Sequence, residues 1–337
     1  MNIAFLMDKL AFIDPAYETT SHLMYECNQR GHVVFFLEPH DVCVRDNDVA
    51  ARMHNLSVAP DMTMRDYWQA LIDCLARDEP IFKAIAELDA LFLRKNPPIH
   101  YQSLELLHPV NDKVFIINRP SGQILGNSKL YALNFPDIIP ETHIARDPGQ
   151  IVQIIEDFGG DMVIKPLQRF GGEGVIKVSV RDREALMPII RHLTRAGRGD
   201  AERNPVMLQA YLAAGRQGDV RILLLNGEIL GAMRRVPRAG EFRSNIKAGA
   251  TAQPHAVTEG EAAICRAVRD RLAADGLYFV GIDIIGDKLV EVNCLSPGGI
   301  PRINQFNHVQ LEKAVIDFVA HQVMECRDRR SHYCAYV

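Results

Sequence analysis

The sequence lacks the features that mark membrane and secreted proteins. None of its apolar runs reaches the roughly 18 residues that a membrane-spanning helix needs. The N-terminus has neither the basic segment nor the small-residue cleavage site of a signal peptide. The seven cysteines are odd in number, scattered and free of C-x-x-C pairs, unlike those of a disulfide-stapled domain. We therefore expect a cytoplasmic protein with reduced thiols.

A dominant charge and several common motifs are also missing. The 38 basic and 42 acidic residues leave a net charge of −4, which does not favour nucleic acid or a membrane surface as partner. The twelve histidines show no H-E-x-x-H or paired Cys/His spacing, so zinc is not expected. No G-x-G-x-x-G follows an expected strand, and GQILGNSK (122–129) departs from G-x-x-x-x-G-K-[ST] at Asn127.

What is present at the N-terminus predicts a parallel sheet. Residues 1–7 are an apolar run, Thr19 begins a cluster of capping residues, and Gly31 precedes the apolar VVFFL. Such a β-α-β order is typical of parallel strands. Two more apolar runs, 88–95 and 113–118, are followed by loops, where open α/β sheets bind ligands. We expect an α/β domain over 1–120.

The pattern changes after Pro140. Two expected strands, 161–167 and 174–180, flank the loop QRFGGEG, and NGE (226–228) between apolar runs predicts a hairpin. We therefore expect an α+β region rich in antiparallel pairs. Its expected parts are a small subdomain with the glycine-rich loop, a large subdomain and a loose tail, at 121–205, 206–326 and 327–337.

The stretch FVGIDIIGDKLVEVNCLSP (279–297) combines two apolar runs with three polar side chains. A two-residue turn at Gly286-Asp287 would mix charge and aliphatic residues on both faces. A three-residue turn, Gly286–Lys288, places Ile284 opposite Val290 on an apolar face. We therefore expect the three-residue turn.

That register predicts a cluster of oxygen donors. Asp283 lies opposite Glu291, and Asn293 shares their face, with Cβ atoms of paired residues about 5 Å apart. Two carboxylates so placed repel unless a proton or a cation lies between them. Oxygen donors without histidine suit a hard cation such as Mg²⁺. The alternative is an exposed hairpin whose polar face meets water.

Two further segments suggest phosphate chemistry, although each has a simpler explanation. FGGEG (170–174) can turn backbone N–H groups toward an anion, or can be an ordinary glycine-rich turn. Lys165 interrupts an expected strand and needs a partner for its ammonium, unless the side chain extends to the sheet edge.

The segment 234–247 is strongly basic. It can be a solvated loop, a nucleic-acid patch, or a lid of guanidinium groups over a transferring phosphate and carboxylate. Its cations are Arg234, Arg235, Arg238, Arg243 and Lys247.

Together these segments resemble the ATP-grasp carboxylate–amine ligases, and within them the bacterial glutathione synthetases. The resemblance covers nearly the whole chain. It rests, in family order, on LDALFLRKNPP, NRPSGQILGNSKL, MVIKPLQRFGGEGV, LQAYL, GDVRILLLNGE, MRRVPRAGEFRSN and GIDIIGDKLVEVNCLSP. It implies an ATP-grasp fold preceded by a parallel α/β (pre-ATP-grasp) domain.

The resemblance also implies roles for particular residues. Asp283, Glu291 and Asn293 would hold two Mg²⁺ ions, or Mn²⁺, between the β- and γ-phosphates of ATP. Arg221 and Arg235 would stabilise the acyl phosphate. Arg243 and Asn245 would lie on a mobile loop that excludes water from the site. Arg94 and Lys95 would reach the carboxylate-bearing substrate. The implied ATP ligands are Lys129, Lys165, Gly171, Gly172, Gly174, Gln209, Tyr211, Leu212 and Asp219.

The implied reaction is activation of a carboxylate by ATP, followed by attack of an amine. The leading substrate pair is γ-glutamylcysteine and glycine, with small molecules as the only partners and a homo-oligomeric assembly. The alternatives are a ligase for a different amine or peptide, and an ATP-binding regulatory protein without chemistry.

The sequence departs from the family pattern at three places. Asn96 stands where Asp is usual, and Ser128 stands where Glu is usual. The third is the turn Gly298–Arg302, which would lie near the amine.

Overall fold

The computed structural model describes residues 1–59, 61–167, 169–195, 203–246 and 249–334, with side chains omitted at 182–184 and 329–334. Lys247, the last cation of the basic segment, lies outside the described residues. Within these ranges we find no helix that combines the length and the hydrophobicity required to cross a bilayer.

The N-terminal region forms a sheet with a parallel centre, as predicted. Its strand order is β3-β4-β2-β1-β6-β7, with β5 pairing with β4. β1 pairs in parallel with β2 and β6, and β6 with β7, whereas β3, β4 and β5 form an antiparallel extension. The strands are β1 (Asn2–Leu6), β2 (Val33–Leu37), β3 (Val42–Arg45), β4 (Asp48–Asn55), β5 (Ile81–Ala84), β6 (Ala90–Leu93) and β7 (Phe115–Ile117).

Four helices accompany this sheet in the described chain: α1 (Thr19–Gln29), α2 (Met64–Arg77), α3 (Tyr101–Leu106) and α4 (Pro120–Gly126). Helix α1 begins at Thr19 and is preceded by Glu18, which makes no side-chain cap. The hydroxyl of Ser21, expected to cap this helix, donates to the carbonyls of Pro15 and Glu18 instead. The hydroxyl of Thr19 accepts a hydrogen bond from the N–H of Gly299, which lies 280 residues further along the chain.

The second sheet is antiparallel and has the order β10-β9-β11-β8. It consists of β8 (Thr142–Ala145), β9 (Asp161–Pro166), β10 (Ile176–Ser179) and β11 (Val206–Ala210). One face packs on α5 (Pro148–Phe158) and α6 (Arg183–Leu193). The loop between β9 and β10 contains the glycine-rich segment.

The third sheet has the order β14-β13-β12-β15-β16 and is antiparallel. Its strands are β12 (Asp219–Leu225), β13 (Glu228–Val236), β14 (Thr251–Pro254), β15 (Phe279–Ile285) and β16 (Lys288–Asn293). The predicted NGE hairpin is confirmed between β12 and β13, where Asn226 and Gly227 both have positive φ angles. Two left-handed residues in succession match the twist of a two-residue hairpin turn.

Three helices complete the fold: α7 (Glu259–Ala274), α8 (Ile300–Asn307) and α9 (Leu311–Cys334). Ile222 and Ile282 point toward α7 and share a core with its Ile264. Leu223 and Phe279, on the opposite face, share a core with the first sheet, α8 and α9. The third sheet is thus anchored on both faces by its apolar residues.

Three expected boundaries need correction. The boundary at 205/206 separates β11 from the sheet to which it belongs, because β11 pairs with both β8 and β9. Tyr131 and Phe135, expected in the small subdomain, pack in the core of the third sheet. The expected loose tail 327–337 is helical as far as Cys334, the last residue of α9.

The predicted register of the β15–β16 hairpin is confirmed at the carboxylates, but the predicted turn is wrong. Asp283 pairs with Glu291 and Gly281 with Asn293. The strands end at Ile285 and Lys288, so the turn has two residues, and Ile284 lies opposite Leu289 rather than Val290. A β-bulge at Val290 adds the residue that the short turn omits.

Candidate functional site: a cleft between the second and third sheets

A cleft of about 900 Å³ lies between the second and third sheets and the two loops that extend over them. It brings together most of the residues singled out from the sequence. They are Lys129, Lys165, Gly171, Gly172, Gln209, Tyr211, Leu212, Asp219, Arg235, Arg243, Asn245, Asp283 and Glu291.

The floor of the cleft is a polar stripe across the strands of the third sheet. Arg235 lies directly opposite Asp219, and Arg221 directly opposite Asp283. Because Asp283 in turn lies opposite Glu291, the charged side chains on this face occupy four neighbouring strands. The alternation of each strand explains the arrangement, since the residues between them point into the apolar core.

Four buried charges in this stripe form a continuous ion-pair network. Arg221 donates two hydrogen bonds to Asp283, one of them from Nη2 to Oδ2 at 2.9 Å. Arg235 donates from Nε and Nη2 to Asp219 at 2.7 and 2.6 Å, and its Nη2 also lies 2.9 Å from Oδ2 of Asp283. The four residues are at most 8% exposed.

The network gives its two carboxyl groups different pKa values. Although burial opposes ionisation, the two neighbouring arginines hold the pKa of Asp283 well below its ordinary value. Burial raises the pKa of Asp219 to about 6, although Arg235 opposes that rise. The cation Arg235 has its pKa raised by Asp283 and Asp219, which outweigh the opposing effect of burial. Asp283 is therefore the firmly ionised carboxylate of the cleft.

The donor set expected to hold a cation fits a hard divalent ion. Asp283, Glu291 and Asn293 occupy paired positions, and Nδ2 of Asn293 donates to Oδ2 of Asp283 at 3.2 Å, which leaves its amide oxygen available. Within the described residues, Glu291 forms no ion pair with an arginine. No group of three His, Cys, Asp or Glu side chains suited to a metal occurs there, so the set depends on the amide as its third donor.

Two lysines face Glu291 from the other side of the cleft. Burial lowers the pKa of Lys165 to about 8, with Glu291 acting in the opposite direction. The pKa of Lys129 is also lowered by burial and partly restored by Glu291. Lys165 donates from Nζ to Oε1 of Gln209 at 2.5 Å, and Gln209 donates to Thr142 at 3.0 Å. These contacts aim the ammonium of Lys165 into the cleft.

The glycine-rich loop forms one wall. Gly171, Gly172 and Gly174 all have positive φ angles, between 64° and 81°, which glycine adopts at no steric cost. Lys129 donates to the carbonyl of Arg169 at the start of this loop, and its Nζ lies 5.4 Å from the Phe170 ring centre. The loop is thus tied to a residue that also lines the cleft.

Part of the basic segment, the proposed lid, contacts this loop. Arg243 donates from Nη1 to the carbonyl of Gly172 at 3.1 Å, and from Nη2 to Glu241 at 2.6 Å. A Cβ placed on Gly172 would lie only 2.6 Å from Oδ1 of Asn245. The lid and the glycine-rich loop therefore meet in a contact that a side chain at position 172 would prevent.

The opposite end of the cleft is formed by the chain that leaves β11. The backbone N–H of Tyr211 donates to the carbonyl of Asp161 at 2.9 Å. Lys177 forms an ion pair with Asp161 at 2.6 Å, and its Nζ lies 4.1 Å from the Tyr211 ring centre. Leu212 lines the same end.

A second cavity of about 530 Å³ adjoins the first. Lys129 and Glu291 line both, so the two cavities meet at these side chains. Arg221 and Asn293 line the second cavity rather than the first. Its far wall is the segment Cys294–Pro297, which precedes the unusual turn at Gly298.

Three predicted residues lie outside both cavities. Arg94 is 3% exposed and donates to Thr20 at 3.1 Å and to the Pro297 carbonyl at 3.0 Å, so its guanidinium is buried against these partners and does not line either cavity. Its neighbour Lys95 forms an ion pair with Asp8 at 2.7 Å. Gly174 faces away, toward a cavity behind the loop.

Sequence reasoning missed the apolar lining of the cleft, which includes Phe242, Ile285 and Val290. Ile285 and Val290 were assigned to the apolar runs of the hairpin. A search for bulges could have identified Val290, since a two-residue turn with one extra residue also gives the observed register. Phe242 lies between Glu241 and Arg243 in the lid, where one aromatic residue among polar neighbours was the available signal.

Comparison with known families and proteins agrees with this geometry. Residues 1–123 match the family described as prokaryotic glutathione synthetase, N-terminal domain, and residues 128–308 match its ATP-grasp domain. The chain is 38% identical over 328 residues to a glutathione synthetase of Gloeobacter violaceus, covering 95% of this chain and 96% of that protein. It is 35% identical over 328 residues to a glutathione synthetase of Synechocystis sp., covering 96% and 100%.

Solved structures agree on the fold. D-cycloserine synthetase superposes with a TM-score of 0.61 at 14% identity, covering 94% of this chain and 100% of that one. A RimK-domain ATP-grasp protein from Sphaerobacter thermophilus gives a TM-score of 0.61 at 16% identity, covering 94% and 99%.

Proposed function

We propose that this chain, which belongs to the prokaryotic glutathione synthetase family, is an ATP-dependent ligase that joins the carboxylate of γ-glutamylcysteine to the amine of glycine. The observation that carries the proposal is the meeting of two cavities at Lys129 and Glu291. One cavity has the lining of a nucleotide site, and the other can hold a second substrate against the end of the phosphate chain.

ATP occupies the larger cleft in this proposal. The base lies at the end formed by Tyr211 and Leu212, and the ribose near Asp219. Lys165 and Lys129 then face the phosphates, and Gly171 and Gly172 cover them. Asp219 already accepts two hydrogen bonds from Arg235, so a ribose hydroxyl would share this carboxylate rather than replace the arginine.

Mg²⁺ is the cation that we assign to Asp283, Glu291 and Asn293. When bound, it would neutralise phosphate charge, in the manner of hard cations that share carboxylate and phosphate oxygens. Asp283 is ionised in the arginine network, and Glu291 is the carboxylate without an arginine partner among the described residues, so the protein provides negative charge on the cleft side.

The reaction needs two bond changes. A carboxylate oxygen of the donor bonds to the γ-phosphorus as the bond between that phosphorus and the ADP oxygen breaks. The products of this step are an acyl phosphate and ADP. The amine then bonds to the acyl carbon, phosphate leaves and the amine loses a proton. Arg221 and Arg235 lie beside these groups and stabilise the negative charge that forms on their oxygens. Arg243 and Asn245 close the lid, which keeps water from the acyl phosphate.

A different amine is the second candidate. A Cβ placed on Gly298 would meet no atom within 4 Å, and its carbonyl lies 3.5 Å from Nη1 of Arg221. Open space beside that arginine suits an acceptor larger than glycine. In either case the substrates are small molecules, and we assign the chain to the cytoplasm, as a homo-oligomer.

The test is ADP release with Mg-ATP and γ-glutamylcysteine, with and without glycine, followed by a series of other small amines. Release that requires both glutathione precursors supports the leading proposal. Release with the same donor and only a larger amine supports the second candidate. ATP binding without ADP release for any donor and amine would reject the ligase and leave a nucleotide-binding protein.

A further inference from the structure

The turn Pro297–Ile300 is held by two side chains that are distant in sequence. The hydroxyl of Thr19 accepts hydrogen bonds from the N–H groups of Gly299 and Ile300 at 3.1 and 3.2 Å. Arg94 donates to the carbonyl of Pro297 at 3.0 Å. Both side chains belong to the first domain, and both are almost fully buried.

Thr19 acts as a cap for a helix on which it does not lie. Gly299 is the N-cap residue of α8 and has no side chain with which to accept the first free N–H groups. Capping oxygens normally come from the N-cap residue itself. Thr19 supplies the oxygen instead, from the first position of α1, which explains why its hydroxyl is directed away from its own helix.

In the part of the chain that the structure describes, Arg94 forms no ion pair with a carboxylate. Burial lowers its pKa to about 10, and its recorded hydrogen bonds run to a hydroxyl and a carbonyl rather than to a carboxylate. The guanidinium also lies 5.4 Å from the Phe279 ring centre. A buried cation is costly unless its donors are satisfied, so its contact with Pro297 restrains this carbonyl strongly.

The turn also contacts the charge network of the cleft. Nη1 of Arg221 lies 3.5 Å from the carbonyl of Gly298, while its other nitrogens hold Asp283. Ser296, just before the turn, and Pro297, its first residue, line the second cavity. A shift of the turn therefore changes both the wall of that cavity and the support of the Arg221 guanidinium.

We infer that Thr19 is a positioning residue for the second substrate, assisted by Arg94. It fixes the turn Pro297–Ile300 against Arg221, so that the second cavity keeps the shape in which the acyl phosphate meets an amine rather than water. This inference rests on the proposed ligase function. Neither Thr19 nor Arg94 lines the nucleotide cleft, so the main effect of changing them is expected in the second cavity.

Three variants test the inference. Thr19→Val keeps the shape of the side chain and removes the hydroxyl, whereas Thr19→Ser keeps the hydroxyl. Ser21→Ala is the matched control, because Ser21 is equally buried in the first turn of α1 but donates only to Pro15 and Glu18. A loss of stability that Thr19→Val and Ser21→Ala share is then a structural effect and not a loss of positioning.

The first measurement is amide hydrogen exchange in the intact chain, which does not depend on any enzyme assay. Thr19→Val should accelerate exchange at Gly299 and Ile300 by about fivefold, as expected when a capping bond worth about 1 kcal/mol is lost. Thr19→Ser and Ser21→Ala should leave it near wild type. Equal exchange in the Val and Ser variants would overturn the inference, whether or not the chain is a ligase.

The second measurement compares ADP released with amide formed. In Thr19→Val we expect the KM of a substrate in the second cavity to rise about tenfold, the loss of about 1.4 kcal/mol, and the ratio of ADP to amide to exceed that of wild type. The KM for ATP should change less than twofold, and Thr19→Ser should restore all values. Wild-type coupling in Thr19→Val would reject the positioning role. Absence of amide in the wild type itself would reject the proposed function instead.

Discussion

Asp283 lies directly opposite Glu291 on neighbouring strands, although the turn that joins these strands is one residue shorter than their register requires. The bulge at Val290 supplies the missing residue. It also turns Val290 into the cleft, where it forms part of the apolar lining. The hairpin thus delivers two carboxylates and an apolar contact to one cavity.

Glu291→Gln should abolish most of the activity without changing the fold. The substitution removes the carboxylate that faces Lys129 and Lys165 and leaves an amide of the same shape. We expect kcat/KM to fall by at least about 100-fold, as when a charge-stabilising group is lost. The control is Asp287→Asn at the exposed tip of the same hairpin, which should be near wild type. ADP release and urea unfolding check both variants, and normal turnover in Glu291→Gln would remove this residue from the cation site.

Lys165 should make the capture of ATP sensitive to pH. Burial lowers its pKa to about 8, so the ammonium of the free protein is present below that pH and is lost above it. We expect kcat/KM for ATP to fall above pH 8, by up to about tenfold per pH unit. Lys165→Arg stays charged and should lose this limb. An unchanged limb in that variant would assign the titration to another group.

The same lysine has the opposite effect on folding stability. Its pKa is lower in the folded chain than in the unfolded chain, so the unfolded chain binds more protons between about pH 8 and 10. The contribution of Lys165 to the free energy of unfolding should therefore increase with pH in this window. Urea unfolding of wild type and Lys165→Met at several pH values measures the difference.

Gly172→Ala should hold the lid open. Its new Cβ would lie 2.6 Å from Oδ1 of Asn245, in a backbone conformation with a φ of 81°. Gly240→Ala has nearly the same φ, 82°, with no atom within 4 Å of the new Cβ, so it reports the backbone strain of about 1 kcal/mol alone. We expect a lower kcat only for Gly172→Ala.

Trypsin provides the structural readout for these two variants. Cleavage after Arg238 and Arg243 should decrease when ATP and Mg²⁺ close the lid over wild type and Gly240→Ala. Gly172→Ala should stay sensitive at the same nucleotide occupancy. Equal protection of all three proteins would mean that the contact between Gly172 and Asn245 does not govern the lid.

Arg235→Lys should be costly although it conserves charge. A lysine cannot reproduce the two parallel hydrogen bonds to Asp219 together with the contact to Asp283. We expect a loss of about 3 kcal/mol in the free energy of unfolding, typical of a broken buried pair. Arg234→Lys, the neighbouring substitution on the less buried face of β13, should cost less than about 1 kcal/mol. Similar losses for both would show that the buried network adds little stability.

Alternation explains why the carboxylates could be placed from the sequence. Ile282 and Val292 had to share the core face, and Asp283 and Glu291 then had to share the other. The turn could not be deduced in the same way, because a two-residue turn with a bulge and a three-residue turn give identical faces at the acidic end.

The arginine partners of Asp283 were not predictable from local patterns. Arg221 reaches it because β12 pairs with β15, a contact between residues 62 positions apart. For the same reason the sequence could not show that Arg94 is buried beneath the turn at Pro297 rather than exposed to substrate. Residues with a repeated local pattern were placed correctly, and residues whose partners depend on the packing of distant strands were not.

The most direct test of the account uses γ-glutamylcysteine labelled with ¹⁸O in the carboxylate that would become the amide, together with glycine and Mg-ATP. Activation through an acyl phosphate transfers one carboxylate oxygen to the phosphate that is released. We expect one ¹⁸O atom in the inorganic phosphate for each molecule of glutathione formed, detected by mass spectrometry. Glutathione formed with unlabelled phosphate would contradict the proposed mechanism.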